Sequence, residues 1–241
     1  DITVPVSEKR VVGIAELEAR HDVVVLDDAF QHRAVKPGLS ILLFDYTRIN
    51  DLFLVLPAGN LREPFSGRQR ADVIVVSKCP ENFSQEQRDT IRKRLKPFPF
   101  QRLFYSYLEY GNLRSVCTAE EKPLKWITSE TAVFLLTGIA NPLPLQRKLE
   151  EYSGAVIHHE YPDHHVFSPK NIAKLAEDFK SSKASEKVIV TTEKDVQRLH
   201  PQLLELLNGL PVYYLPVTAR IHQPDENDFN NLIDTYVAKY I

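Results

Sequence analysis

The amino-acid sequence predicts an α/β protein in two domains, each built on a largely parallel sheet. Short, near-continuous apolar runs alternate along the chain with amphipathic stretches of helical period, the pattern of strands buried on both faces and joined through helices. The texture changes between Phe98 and Val116, where aromatic residues crowd, and the same alternation then resumes. A domain junction is therefore placed there.

Residues 7–21 read as a helix with Ser7 as N-cap and Val11, Ile14 and Leu17 on its apolar face; the run Val23 to Leu26 reads as the strand that follows. Ser40 to Asp45 and Asp72 to Ser77 are two further buried strands. Ser84 to Leu95 is a helix capped by Ser84, with Gln87 at the capping-box position, and it ends before Pro97. The aromatic stretch 98–116, turning at Gly111-Asn112, reads as an extended ribbon or hairpin. Beyond it come strand Ala132 to Leu136, helix Pro142 to Tyr152, strand Ala155 to His159 and helix Ser168 to Phe179. Strand Lys187 to Val190, helix Lys194 to Leu207, strand Val212 to Leu215 and a closing amphipathic helix from Asp225 to Tyr240 complete the series. The domain expectation is residues 1–100, a β-rich linker over 101–130 and a smaller α/β/α domain over 131–241.

Composition narrows the function classes. At 241 residues, 43% apolar and 26% charged, the chain has the make-up of a globular protein with proper cores. A net charge of −2 offers no general attraction to nucleic acid. The two cysteines, Cys79 and Cys117, have no metal-ligand spacing and read as reduced thiols. No run reaches the ~18 apolar residues of a spanning helix.

Four segments carry candidate chemistry. Asp27-Asp28 ends the run Val23 to Leu26, at the sheet edge where parallel strands present ligand-binding groups. A hard cation such as magnesium is held there by one or two carboxylates beside substrate phosphates and water. The same dipeptide serves equally well as a helix N-cap. A phosphate-cradling Gly-x-x-x-x-Gly-Lys-Ser/Thr loop is missing, because none of the eight glycines precedes a lysine. Either a strand simply ends in Asp-Asp, or the N-terminal part of a nucleotide enzyme lies outside this sequence. The start, Asp1-Ile2-Thr3-Val4-Pro5-Val6, has neither an initiator methionine nor a signal-peptide layout, and the chain has no methionine at all. A longer parent protein is the expectation.

Gln31 and His32 continue the first segment, and the loop from Leu56 to Pro64 is expected to open on the same edge, with Arg62 offering a planar fork for phosphate or carboxylate. Arg62-Glu63 also reads as a solvated surface pair. The third segment, His158 to His165, holds four of the eight histidines. Its spacing is not that of a helical zinc pair and Pro162 interrupts it, whereas Asp163 beside His164 suits a general base; a plain polar loop is the alternative. Thr137 to Pro142 and Thr191 to Asp195 are either anion-binding turns or capped connections.

Taken in order, Asp-Asp-Ala-Phe-Gln-His at 27–32, Leu-Pro-Ala-Gly-Asn-Leu-Arg-Glu-Pro at 56–64, Thr-Gly-Ile-Ala-Asn-Pro at 137–142, Tyr-Pro-Asp-His-His at 161–165 and Thr-Thr-Glu-Lys-Asp at 191–195 resemble the tetraacyldisaccharide 4'-kinase family of lipid A biosynthesis. The resemblance spans nearly the whole chain. It implies a P-loop-kinase-like parallel-sheet domain, here partial, joined by a β-ribbon linker to a smaller α/β/α domain, with the active site in the cleft. The implied reaction moves the γ-phosphate of ATP, with Mg2+, to the 4'-hydroxyl of an acylated glucosamine disaccharide 1-phosphate. The implied location is the cytoplasmic face of the bacterial inner membrane, met peripherally. Asp27 and Asp28 would hold magnesium, Gln31, His32, Arg62 and Glu63 would line the nucleotide and substrate site, and His164 with Asp163 would supply a base that works with an aspartate of the N-terminal domain; that aspartate, the phosphate loop and an N-terminal membrane helix are expected to precede the region matched here. Ala29 replaces a usual glycine and Asn60 a frequent proline, and neither change removes a chemical group. The rival reading is a non-catalytic α/β binding or scaffold module without a phosphate loop.

Overall fold

The computed structural model describes residues 2–239. Their contacts form two compact units, one comprising the chain up to Leu108 together with the chain from Ala219, the other Glu109–Thr218.

The first unit opens with helix α1 (Arg10–Leu17), whose N-cap is Lys9, with no side-chain cap bond. Ser7 was the expected cap, but its hydroxyl donates to the carbonyl of Lys9 instead. The expected strand at 23–26 is absent. Val25 is 88% exposed and the segment joins no ladder among the described residues, so its β-branched sequence has no partner strand to pair with. Strand β1 (Ile41–Asp45) runs parallel to β2 (Val73–Ser77), which runs parallel to β3 (Arg102–Tyr110), and β10 (Val217–Ile221) completes the order β1-β2-β3-β10.

Side chains alternate across this sheet. Ile74 and Val76 point to one face with Leu103 and Tyr105 and pack on Ile91 and Leu95 of α2 (Gln85–Leu95). Val73, Val75 and Phe104 point to the other face, onto Phe229 and Leu232 of α7 (Glu226–Ala238). The closing helix, assigned by sequence to the second domain, thus covers the second face of the first sheet. Its expected end at Tyr240 lies outside the described residues. Helix α2 starts with the expected capping box between Ser84 and Gln87. The aromatic ribbon is corrected as well: most of it is β3, a parallel strand, and Gly111-Asn112 leads into β4 (Leu113–Ser115), which pairs with other strands.

The second unit carries a six-stranded sheet in the order β5-β4-β9-β8-β6-β7, with β5 at Glu121–Lys122, β6 at Thr131–Thr137, β7 at Ala155–Glu160, β8 at Glu186–Thr192 and β9 at Val212–Leu215. Strand β6 is flanked in parallel by β7 and β8, and β9 extends the parallel set. Its alternate residues build two cores. Phe134 and Leu136 face Ile172, Leu175 and Phe179 of α4 (Pro169–Ser181). Val133 and Leu135 face Leu145 and Leu149 of α3 (Leu143–Glu150). The helix expected over 194–207 is two short ones, α5 (Glu193–Val196) and α6 (Pro201–Glu205), because Pro201 holds His200 extended, with ψ at 153°.

Candidate functional site

In the first unit, the segments 27–33 and 56–70 are laced together by charge. Arg62 Nη1 donates to both oxygens of Asp28, at 3.0 and 2.8 Å. Asp28 has a positive φ of 47°, a conformation that a short polar side chain tolerates. Asp27, beside it, is exposed and makes no ion pair among the described residues. Glu63 accepts from Arg70 at 2.9 and 2.7 Å, from Arg33 at 3.3 Å and from Gln31 at 3.4 Å. The Arg70 fork holds the Glu63 carboxyl below the usual carboxylate range, against the opposing effect of partial burial. Arg70 also donates to the carbonyl of Phe30 and lies over its ring, 4.5 Å from the centroid. His32 is exposed, its backbone N–H closing a turn onto Ala29.

The 56–64 loop gets its shape from its backbone. Leu61 N–H donates to the Leu54 carbonyl at 3.0 Å and the Leu61 carbonyl accepts from Leu56 N–H at 2.9 Å, and Gly59 is wedged so tightly that a Cβ there would sit 2.4 Å from the Leu54 carbonyl oxygen. At the carboxyl ends of β1 and β2, Lys78 donates to Asp45 at 2.6 Å. Burial raises the Asp45 pKa, but the bonds from Lys78 and Thr47 outweigh it and hold the carboxyl below its ordinary value. Sequence reading singled out neither Arg70 nor the Asp45–Lys78 pair, since each depends on contacts 7 to 40 residues apart.

In the second unit the four clustered histidines serve four different contacts. His158 Nε2 pairs with Thr137 Oγ1 at 2.8 Å. His159 is buried, with Asp178 Oδ2 3.6 Å from its Nε2. Burial lowers the pKa of both rings. His165 stacks on Tyr161 and its Nε2 donates to Asn171 Oδ1 at 3.1 Å. His164, mostly exposed and with φ at 59°, is the one turned to Asp163, its Nε2 3.6 Å from Oδ2. Asp163 also lies 3.5 Å from Lys194 Nζ. Desolvation pushes the Asp163 carboxyl up, yet the neighbouring His164 and Lys194 bring it below its usual value.

The 191–195 turn is a capped connection, with Thr192 Oγ1 accepting from Asp195 N–H at 3.0 Å, and in the 137–142 turn the Gly138 N–H is taken by Asp195 Oδ2 at 3.1 Å. The Thr-x-x-Asp spacing is a capping signal legible in the sequence; Arg198, which joins this network, carries no comparable signal.

For a divalent cation the donor set is divided. No cluster of three or more His, Cys, Asp or Glu residues suited to a metal ion occurs among the described residues. Asp27 fits a cation that takes its remaining ligands from phosphates and water. Asp28 does not fit while Arg62 holds both its oxygens.

The family model for tetraacyldisaccharide-1-P 4'-kinase matches residues 1–238. Tetraacyldisaccharide 4'-kinase of Bacteroides thetaiotaomicron is 42% identical over 253 residues, covering 99% of this chain and 66% of that protein. The same-named protein of Flavobacterium johnsoniae is 36% identical, covering 100% of this chain and 66% of its own length. A crystal structure of LpxK from Aquifex aeolicus in complex with ATP matches in fold with a TM-score of 0.60 at 24% identity, over 96% of this chain and 63% of that one. The chain thus spans slightly less than two thirds of the length of the relatives it matches.

Proposed function

This chain belongs to the tetraacyldisaccharide-1-P 4'-kinase family, and on that premise we propose that the protein phosphorylates the 4'-hydroxyl of a tetraacylated glucosamine disaccharide 1-phosphate with ATP in lipid A biosynthesis. The observation that carries the reading is the lacing of segment 27–33 to segment 56–70, which gathers Asp27, Asp28, Gln31, Arg62 and Glu63 in one place. The ATP-bound neighbour supports a nucleotide as co-substrate.

In the reaction the bond between the γ-phosphorus and the β–γ bridging oxygen breaks, a new bond forms from the 4'-oxygen, and ADP leaves. The hydroxyl proton passes to the Asp163–His164 pair, in which the Asp163 carboxylate is the member with open lone pairs. Its lowered pKa makes it a weak base. That is sufficient, because phosphoryl transfer runs through a loose transition state in which positioning counts for more than base strength. Magnesium, when bound, supplies neutralisation of the charge on the phosphate oxygens. Asp27 is the residue to hold it. Arg62 and Glu63 orient the donor and acceptor through the fork geometry and charge they present. Gln31, which donates to Glu63, borders the same surface, with the exposed His32 next to it in sequence.

The acyl chains of the proposed acceptor favour work at a membrane surface, and the proposed location is the cytoplasmic face of the inner membrane, met peripherally; no helix among the described residues is long and apolar enough to cross a membrane. The test is direct. The full-length protein, given magnesium, ATP and the tetraacylated disaccharide 1-phosphate, should convert the lipid to a species heavier by one phosphoryl group, read by mass spectrometry. Unchanged lipid with folded protein would overturn the proposal.

A further inference from the structure

Three segments distant in sequence meet at the Gly138 turn. Its N–H donates to Asp195, and its carbonyl accepts from the backbone N–H of His164 at 3.1 Å and from Arg198 Nη1 at 2.9 Å. Asp195 is completely buried; it also accepts from Thr192 Oγ1 at 2.7 Å, and its other oxygen accepts from Arg198 Nη1 at 3.1 Å. The second arm of the fork, Arg198 Nη2, lies 3.1 Å from His164 Nδ1. A guanidinium has five N–H donors and no acceptor, so the ring nitrogen must accept, and the neutral imidazole carries its proton on Nε2. That proton then sits on the nitrogen facing Asp163, 3.6 Å away.

His164 is mostly exposed and adopts a left-handed backbone conformation that non-glycine residues keep only when their surroundings hold them. Here the holding groups are identified: the Gly138 carbonyl on its N–H and Arg198 on its ring. Gly138 itself is enclosed, with Asp195, His165 and Phe167 atoms each 3.3 Å from where a Cβ would lie. The turn is therefore a fixed anchor for Arg198.

Resting on the reading of Asp163 and His164 as the acceptor-side pair, we infer that Asp195 and Arg198 are positioning residues that fix the His164 ring and direct its Nε2 proton toward Asp163. Asp195 holds Arg198, and Arg198 holds His164. Because the network acts through His164 on the acceptor side, its loss should act on turnover and leave nucleotide binding alone.

The test uses Arg198→Met and Arg198→Lys in the full-length protein, with nitrogen NMR of histidine-labelled samples and steady-state kinetics. The His164 signals are identified by their loss in His164→Gln. In Arg198→Met the Nδ1 signal should move toward that of an unprotonated, unbonded nitrogen, and in Arg198→Lys, which keeps one donor, it should move less. Turnover per folded enzyme should fall about tenfold or more in Arg198→Met while KM for ATP stays within about twofold. In a His164→Ala background, Arg198→Met should add less than about twofold, because a residue acting through His164 has nothing left to act on. An Nδ1 signal that does not move overturns the inference whatever His164 does in catalysis. Fully additive losses overturn it too. Wild-type turnover in His164→Ala, with the Nδ1 signal moving as expected, would instead overturn the role given to the pair and leave the hydrogen-bond network standing.

Discussion

Arg62 Nη1 grips both carboxylate oxygens of Asp28, at 3.0 and 2.8 Å, while the adjacent Asp27 forms no ion pair among the described residues. Two neighbouring carboxylates that look alike in sequence therefore have different commitments. Asp27→Asn should lower turnover of the full-length protein by about a hundredfold or more at saturating magnesium. Its stability should change by no more than about 0.5 kcal/mol, since the side chain is exposed. Asp28→Asn should cost less turnover. Kinetics with parallel thermal melts decide it, and a larger defect in the Asp28 variant would reverse the assignment.

Glu63 is the hub of its surroundings, with Arg70, Arg33 and Gln31 all donating to it and its side chain only 15% exposed. Replacement by Gln leaves Arg70 without its counter-charge and should cost about 1–2 kcal/mol at neutral pH. The pH dependence has a definite sign. A carboxyl whose folded pKa is depressed contributes stability above its unfolded pKa and loses that contribution as the pH falls through the folded value. Urea midpoints between neutral pH and about pH 3 should fall steeply for the wild type and less steeply for Glu63→Gln.

His159 should produce a second, distinct acid limb. Burial lowers its folded pKa, with Asp178 offsetting part of the effect, so the unfolded chain binds the proton more readily. Stability then drops as the pH falls through the ordinary histidine value of about 6.5. His159→Leu should flatten the stability profile between about pH 7 and pH 5. His158, lowered for the same reason, keeps part of the slope in that variant. An unchanged slope in chemical denaturation would dismiss the role of His159.

The two thiols should separate cleanly. Cys79 is buried in the core cluster between the first sheet and α2, and burial pushes its thiol up to about 12, whereas Cys117 is exposed. Titration with a thiol reagent under native conditions should modify one residue, located by peptide mapping at Cys117, and a second only after unfolding. Rapid native labelling at Cys79 would contradict the burial.

Most strands were legible because the evidence for them is local. Residues 73–77 and 131–137 carry consecutive apolar residues and are buried on both faces, whereas residues 41–45, apolar in the same way and expected to be buried, leave Ile41 and Leu43 exposed on one face; the caps Ser84 with Gln87 and Ser168 before α4 sit within one helical turn of the groups they satisfy. Pro201 breaks a helix that periodicity alone would carry to Leu207.

What the sequence determined by itself is which residues are apolar, at what period and next to which turns, and this was enough for the α/β class. The tertiary structure alone decided that residues 23–26 form no strand, that α7 covers the first sheet and that Arg198 reaches His164 across 34 residues. The reason is physical. A helix satisfies its backbone from residues four away, so its sequence announces it; a strand exists only through a partner, and a side-chain network only through neighbours that folding brings together.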